Sequence, residues 1–182
     1  MKIRLMKKLL ITALLSAAGL AQAHIVLDQQ EAEAGQPYEA VLKVGHGCEG
    51  SATRQLIVTI PPQLRGAQPV PKPGWTLNLR NQALTTPAES HGKPVTEALA
   101  EVSWTANTEA DQLQDAWYDE FTLRGTLTDQ AGEVWFKVRQ ICAKGETNWA
   151  EVPADGPSTR GLKSPAALLK VRTTGGKAAH VH

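Results

Sequence analysis

The sequence predicts an all-β sandwich, and three features of its patterning support that fold class. Short runs of β-branched and aromatic residues alternate with turns that contain Gly and Pro. After residue 23, no segment repeats its apolar side chains at the 3.6-residue period of an amphipathic helix. The 159 residues that follow residue 23 are enough for one domain with its own core. We therefore expect one sandwich domain over residues 24–172 and a disordered polar tail over residues 173–182.

Strands are expected where apolar side chains alternate along the chain or β-branched residues cluster. In chain order, the predicted strands cover residues 25–27, 38–44, 55–60, 75–79, 101–105, 121–127 and 134–142. Between them we expect a long hairpin or surface excursion over residues 81–98 and a short helical turn within residues 106–116. An apolar stretch at residues 166–171 predicts a last edge strand. Trp75, Trp104 and Trp135 fall in strand patterns, where large aromatic side chains usually belong to the core.

The first 23 residues have the three parts of a secretory signal peptide. An apolar run over residues 9–20 leads into the small-residue cleavage pattern Ala21-Gln22-Ala23. That run is shorter than the roughly 20 residues that a membrane span needs. The basic residues in front of it are Lys2, Arg4, Lys7 and Lys8. The sequence thus predicts a periplasmic or otherwise exported protein with no stable membrane insertion after cleavage.

Removal of the signal peptide changes the charge of the chain. The remainder carries 15 basic and 18 acidic side chains, so its formal net charge is about −3. No basic patch stands out along it. Nucleic acid is therefore not an expected partner.

The chain has two cysteines, Cys48 and Cys142, which lie far apart in the sequence. Export to an oxidising compartment favours a disulfide between them. A pair of metal-binding thiolates is the alternative. Both methionines, Met1 and Met6, lie in the signal peptide. Copper chemistry would then rely on nitrogen and oxygen donors, since thioether ligands are the soft donors that select Cu(I).

Cleavage after Ala23 would leave His24 as the first residue, with a free α-amine beside its imidazole. The amine and the imidazole Nδ1 could then chelate one metal ion. The pKa of an α-amino group is about 7.7–8.0, so a metal can displace its proton near neutral pH. Nitrogen donors suit Cu(II), which tops the divalent affinity series. By itself this observation predicts only a candidate chelate.

Further motifs occur around this residue in a characteristic order. They are HIVL from His24, GHGCEGSAT from Gly45, PKPGWTL from Pro71, Trp104 within a strand, and VRQICAKGETNW from Val138. Together they resemble the YcnI-like family of bacterial exported copper-binding proteins. The resemblance extends over roughly residues 24–153.

The resemblance implies a cupredoxin-like or immunoglobulin-like β-sandwich with a mononuclear Cu(II) site. In that family a single-histidine brace, formed by the amine and imidazole of the first mature residue, is joined by an acidic side chain. Carried over to this sequence, the brace is His24, the carboxylate is Glu49, and the tryptophan near the metal is Trp149. His46, in the same loop as Glu49, is either a further ligand or a loop residue near the disulfide.

We therefore expect an exported Cu(II)-binding protein that is not an enzyme and that acts in periplasmic copper handling. A membrane copper transporter or another copper chaperone is its expected partner. Two alternatives stay open: a copper-dependent oxygenase that uses His24 and His46, and a metal-free structural or interaction sandwich. The remaining histidines, His91, His180 and His182, could bind metal weakly, and the H-x-H of the tail is interpreted as incidental.

Overall fold

The strands of the computed structural model, which describes residues 24–90 and 92–173, form two β-sheets. Within that part of the chain the strands are β1 (Val26–Leu27), β2 (Glu31–Glu33), β3 (Pro37–Val44), β4 (Thr53–Thr59), β5 (Leu64–Pro69), β6 (Trp75–Ser90), β7 (Lys93–Ala106), β8 (Asp119–Leu127), β9 (Gly132–Cys142), β10 (Glu146–Trp149) and β11 (Ala167–Arg172). A short 3₁₀ turn, Glu109–Asp111, lies between β7 and β8.

One sheet has the strand order β1-β3-β8-β5, and the other runs β2-β11-β9-β4-β7-β6. Strand β10 also belongs to the second sheet, where it pairs antiparallel with β9. Strand β9 is long enough to bind two neighbours on one side, β11 near its start and β10 near its end. As a result, the start of β10 lies near Cys142, the last residue of β9, and the last residue of β10, Trp149, lies opposite Val138.

The core lies between the two sheets because each central strand turns alternate side chains inward. In β3 the inward residues run from Tyr38 to Val44, and in β9 from Val134 to Cys142, at every second position. Phe121 of β8 packs edge-on against Trp75 and Trp104, with ring centroids 5.1 and 5.6 Å apart. These contacts join the two sheets through aromatic side chains.

The structure confirms the predicted strands, the hairpin in the 81–98 region and the short helical turn. Three short strands were not predicted: β2, β5 and β10. Their composition is polar or interrupted by Gly and Pro, so their strand state depends on pairing with neighbours.

Two predictions about individual elements were wrong. Strand β11 is not an edge strand, because β2 pairs with it in parallel on the side opposite β9. Trp135 is half-buried and not a core residue, because it alternates with Val134 and Phe136, which take the inward positions. Trp75 and Trp104 are buried, as predicted.

The predicted signal peptide and most of the predicted polar tail lie outside the described residues. Within residues 24–90 and 92–173, no helix is long and apolar enough to span a membrane.

Candidate functional site

The motif GHGCEG forms a loop, residues 45–50, that connects β3 of one sheet to β4 of the other. Because it passes from one sheet to the other, it forms no strand ladder. Its conformation therefore depends on side chains from other segments of the chain. Its backbone is closed locally by a pair of hydrogen bonds between Cys48 and Ser51, at 3.0 and 2.9 Å.

Three contacts with distant residues hold the 45–50 loop. The Cys48–Cys142 disulfide joins it to the end of β9, as the cysteine count predicted. The Gly47 amide donates to Asp115 Oδ1 at 3.0 Å. The His46 carbonyl oxygen accepts from Gln140 Nε2 at 2.7 Å. The loop backbone is therefore fixed on three sides.

Glu49 lies at the tip of this loop, in the turn between Cys48 and Ser51. Its φ is +49°, and the following Gly50 has φ +83°. Two successive positive φ values are what a type I′ turn requires. Glu49 is the one non-glycine residue in the described chain with positive φ, and such conformations gather at functional sites. Its side chain is exposed.

Trp149 is the last residue of β10 and is buried, although the residues around it are polar and predict a loop. A turn brings the chain back after Cys142, whose amide donates to the Gly145 carbonyl at 3.0 Å. Strand β10 then pairs with β9, and Trp149 lies opposite Val138. The indole Nε1 donates to Gln140 Oε1 at 2.9 Å. The indole N–H therefore points into the core.

His24 lies two residues before β1, and the pairing of β1 with β3 sets its position. In the β1–β3 ladder, Val26 is opposite Lys43 and Leu27 is opposite Leu42. Continued by two residues, this register brings His24 beside Gly45, at the entrance to the 45–50 loop. The His24 ring lies 5.9 Å from the Trp149 ring, measured between centroids.

His46 approaches the same indole. Its ring lies edge-on to Trp149 with centroids 6.0 Å apart. His46 Nδ1 is 2.5 Å from the Gly47 carbonyl oxygen. A carbonyl can only accept, so Nδ1 carries the hydrogen and the lone pair of the neutral ring lies on Nε2. The structure thus brings His24, His46 and Trp149 together.

Two cavities adjoin these residues. A shallow cavity of about 1040 Å³ is lined by His46, Glu49 and Trp149. Asp115, Glu146 and Glu151 make its lining acidic, although Glu151 Oε2 already accepts from two backbone amides. A smaller cavity of about 240 Å³ lies on the His24 side, where Pro165 and Ala166 form part of its wall.

Glu49 borders the larger cavity but is not gathered into a complete ligand set with the histidines. Among residues 24–90 and 92–173, no group of three or more His, Cys, Asp or Glu side chains is placed to hold a metal ion. The α-amine of the proposed brace is not a side chain. In the full-length chain it is the peptide nitrogen of His24, and it becomes a donor only when the bond after Ala23 is cut.

The remaining candidate residues stand as follows. His91, His180 and His182 lie outside the described residues. The cysteines are bonded to each other, so the alternative of two metal-binding thiolates is wrong.

The side chains of Trp117 and its neighbour Tyr118 are 58% and 56% exposed. The Tyr118 hydroxyl donates to Glu120 at 2.7 Å, and its pKa is raised to about 12 by desolvation and by this hydrogen bond.

Gln140 and Asp115 support the site but were not identified from the sequence. The sequence does contain a signal for Gln140. This residue occupies an inward position of β9, in phase with Phe136 and Val138, where an amide side chain is unusual. Asp115 has no such indication. It lies 68 residues from Gly47, and only the folded chain brings the two together.

Comparison with known proteins identifies the fold. The family described as "Domain of unknown function (DUF1775)" matches residues 24–171. A protein from Nocardia farcinica, whose crystal structure is described as revealing an immunoglobulin-like fold, is similar with a TM-score of 0.62 and 25% identity. The similarity covers 81% of this chain and 97% of that one. No curated protein matches the sequence. The predicted immunoglobulin-like sandwich is thus confirmed.

Proposed function

Since the chain belongs to the DUF1775 family of β-sandwich domains, the family that includes YcnI, we propose that it is an exported protein that binds Cu(II) through His24. The proposal requires that residues 1–23 be removed. The disulfide is of the kind that exported proteins form in oxidising compartments.

The observation that carries the proposal is the approach of two imidazoles to one buried indole. His24 and His46 both contact Trp149, at the end of the sandwich where the chain begins. Newly cleaved, the chain would add an amine at this point. Nitrogen donors from two separate segments would then be available around one position.

The donor chemistry fits Cu(II) better than Cu(I). The amine and Nδ1 of His24 form the brace in our proposal, and Glu49 supplies an oxygen from the rim of the cavity. The turn that carries Glu49 is exposed, which leaves its side chain room to rotate toward the ion. Soft donors are lacking in the described chain, since it contains no methionine and its cysteines are oxidised. A bound copper ion would be held as cargo and not cycled between oxidation states.

Copper handling in the periplasm is the role that such a site suits. Glu49 and His46 line a broad, open cavity, and His24 lines the smaller one. A membrane copper transporter or another copper chaperone could reach an ion held there. We propose that the protein exchanges Cu(II) with a partner of this kind.

The decisive test is Cu(II) titration of the chain that starts at His24, followed by electron paramagnetic resonance and by quenching of tryptophan fluorescence. Ending the chain at Thr173 removes His180 and His182 as competing ligands. We expect a single nitrogen-rich Cu(II) signal. His24→Ala removes a ligand itself, so it should weaken binding by more than the roughly 10–100-fold that is lost when a residue orienting a ligand is mutated.

A matched control separates the amine from the imidazole. A chain that starts at His24 and is acetylated at its N-terminus keeps the imidazole and removes the amine as a donor, so it should lose tight binding although its fold is unchanged. Glu49→Gln keeps the size of the side chain and removes its charge. Equal Cu(II) affinity with and without the acetyl group would overturn the brace, and absence of any Cu(II) binding would favour the metal-free interaction sandwich.

A copper oxygenase is the second candidate, and the contact between His46 and Trp149 favours it. In such an enzyme His46 would complete three nitrogens around copper. The exposed Trp117 and Tyr118 would offer an aromatic surface to a glycan. Oxidation of a polysaccharide by the copper-loaded protein with hydrogen peroxide, abolished in His46→Ala, would establish this activity.

A further inference from the structure

Gln140 is a polar residue in a part of the fold that is otherwise apolar. It lies near the end of β9 and is fully buried. Among the polar and charged residues of the described chain, only Thr53 is buried as well. Burial of an amide is unfavourable unless its polar atoms are hydrogen-bonded. Its presence at this position therefore calls for a reason beyond packing.

The hydrogen bonds of Gln140 supply that reason. Its Oε1 accepts from the Trp149 indole N–H at 2.9 Å. Its Nε2 donates to the His46 carbonyl at 2.7 Å and to Thr53 Oγ1 at 2.7 Å. The orientation of the amide is determined by these partners, because an indole N–H can only donate and a carbonyl can only accept.

One side chain thus links both sides of the proposed metal site. Gln140 fixes the plane of the Trp149 indole, against which the His24 ring rests. It also fixes the peptide of His46, whose ring meets the same indole. An apolar side chain could hold neither partner, and an ionised carboxylate could hold only the indole, since it has no hydrogen to donate.

We propose that Gln140 is the positioning residue of this site, acting through Trp149 and His46 without touching the ion. The inference rests on the proposed Cu(II) function. With its N–H held by Gln140, the indole presents carbon atoms to the two imidazoles. It therefore acts as an apolar wall and leaves the histidine nitrogens as the donors.

The test compares Gln140→Met with Thr53→Val in the chain that starts at His24. Methionine matches glutamine in length and makes no hydrogen bond to the indole or to the His46 carbonyl. Thr53→Val removes one buried partner of Gln140 but leaves both site contacts in place, so it controls for loss of a core hydrogen bond. Circular dichroism and thermal melting establish that each variant is folded.

For Gln140→Met we expect Cu(II) affinity to fall by about tenfold or more, as for other residues that orient ligands. The copper hyperfine splitting and the emission of Trp149 should change as well. Thr53→Val should lower the melting temperature and keep the wild-type copper spectrum. If Gln140→Met does not fold, Gln140→Glu replaces it at a pH where the carboxyl is ionised: the carboxylate still accepts from the indole but cannot hold the His46 carbonyl, so Cu(II) affinity should again fall while the emission of Trp149 changes less.

The outcomes separate the two proposals. Wild-type Cu(II) binding together with an unchanged spectrum and affinity in the Gln140 variant would overturn the positioning role alone. A wild-type protein that binds no Cu(II) would overturn the proposed function and this inference with it. A spectral change of equal size in Thr53→Val would show that general loosening of the core is responsible, and it too would overturn the positioning role.

Discussion

The 45–50 loop and the β6–β7 hairpin flank the same strand, β4, but are ordered by different means. The hairpin is held by its own ladder, in which residues close in sequence pair with one another. The loop is held by Asp115, Gln140 and Cys142, at sequence separations of 68 and 94 residues. Beyond Asn78 the described side chains of β6 are mostly exposed. The loop that carries His46 and Glu49 is thus held by contacts from distant segments, which is the arrangement expected of a site that needs fixed geometry.

The largest expected effect comes from removing the disulfide. Cys48→Ser combined with Cys142→Ser opens a closure between residues 94 apart in sequence. In the chain-entropy description, this lowers the free energy of unfolding by about 4–5 kcal/mol. Urea denaturation with and without a reductant measures the loss. A loss below about 1 kcal/mol would mean that the loop is held chiefly by its hydrogen bonds.

A glycine-to-alanine substitution in each region tests whether the 45–50 loop tolerates an added side chain less well than the hairpin does. A Cβ at Gly47 would lie 1.8 Å from the Ser51 carbonyl oxygen, and backbone atoms cannot move aside cheaply. We expect Gly47→Ala to lower stability by about 1–3 kcal/mol or more. Gly92, near the end of the hairpin, has φ +73° and no neighbour within 4 Å of an added Cβ. Gly92→Ala should cost only about 1 kcal/mol from its backbone conformation, as thermal melts would show.

Removing one acidic side chain from each region should also lower stability by unequal amounts. Asp115→Ala leaves the Gly47 amide without its partner and should cost about 1.5–3 kcal/mol, the range for hydrogen bonds to charged groups. In the hairpin, Glu101 pairs with the exposed Arg80 at 3.3 Å. Glu101→Ala should cost about 0.2–1 kcal/mol, and less at high salt. Similar losses from both substitutions, measured by denaturation at two salt concentrations, would remove the distinction between the regions.

Shortening the hairpin should have the smallest effect. Asn81 and Leu99 are paired, so a two-residue Asn-Gly turn can replace residues 82–98 between them. Few of the described side chains in this stretch are buried, and we expect stability to change by no more than about 0.5 kcal/mol. Cu(II) affinity should not change. Loss of copper binding in the shortened protein would place part of the site in the hairpin and contradict the proposal.

Much of the fold could be predicted from the sequence because its central strands are strongly patterned. The inward side chains of β3 and β9 alternate as a sandwich core requires. The polar strand Glu31–Glu33 could not be predicted in this way, since it exists only by pairing with β11. The same pairing makes β11 internal, which a pattern local to residues 166–171 cannot reveal.

For the candidate site, the sequence alone predicts the types of donor and one covalent link, and the structure confirms the link. These expectations depend on residue composition and residue order alone. His24 follows a cleavage pattern, there are two cysteines, and the described chain lacks thioethers. That His24 and His46 meet Trp149, and that Gln140 and Asp115 hold the loop, is visible only in the folded chain. These contacts join segments far apart in the sequence, so no local pattern can encode them. Their geometry depends on the register of β1, β9 and β10, which only the whole packed sandwich determines.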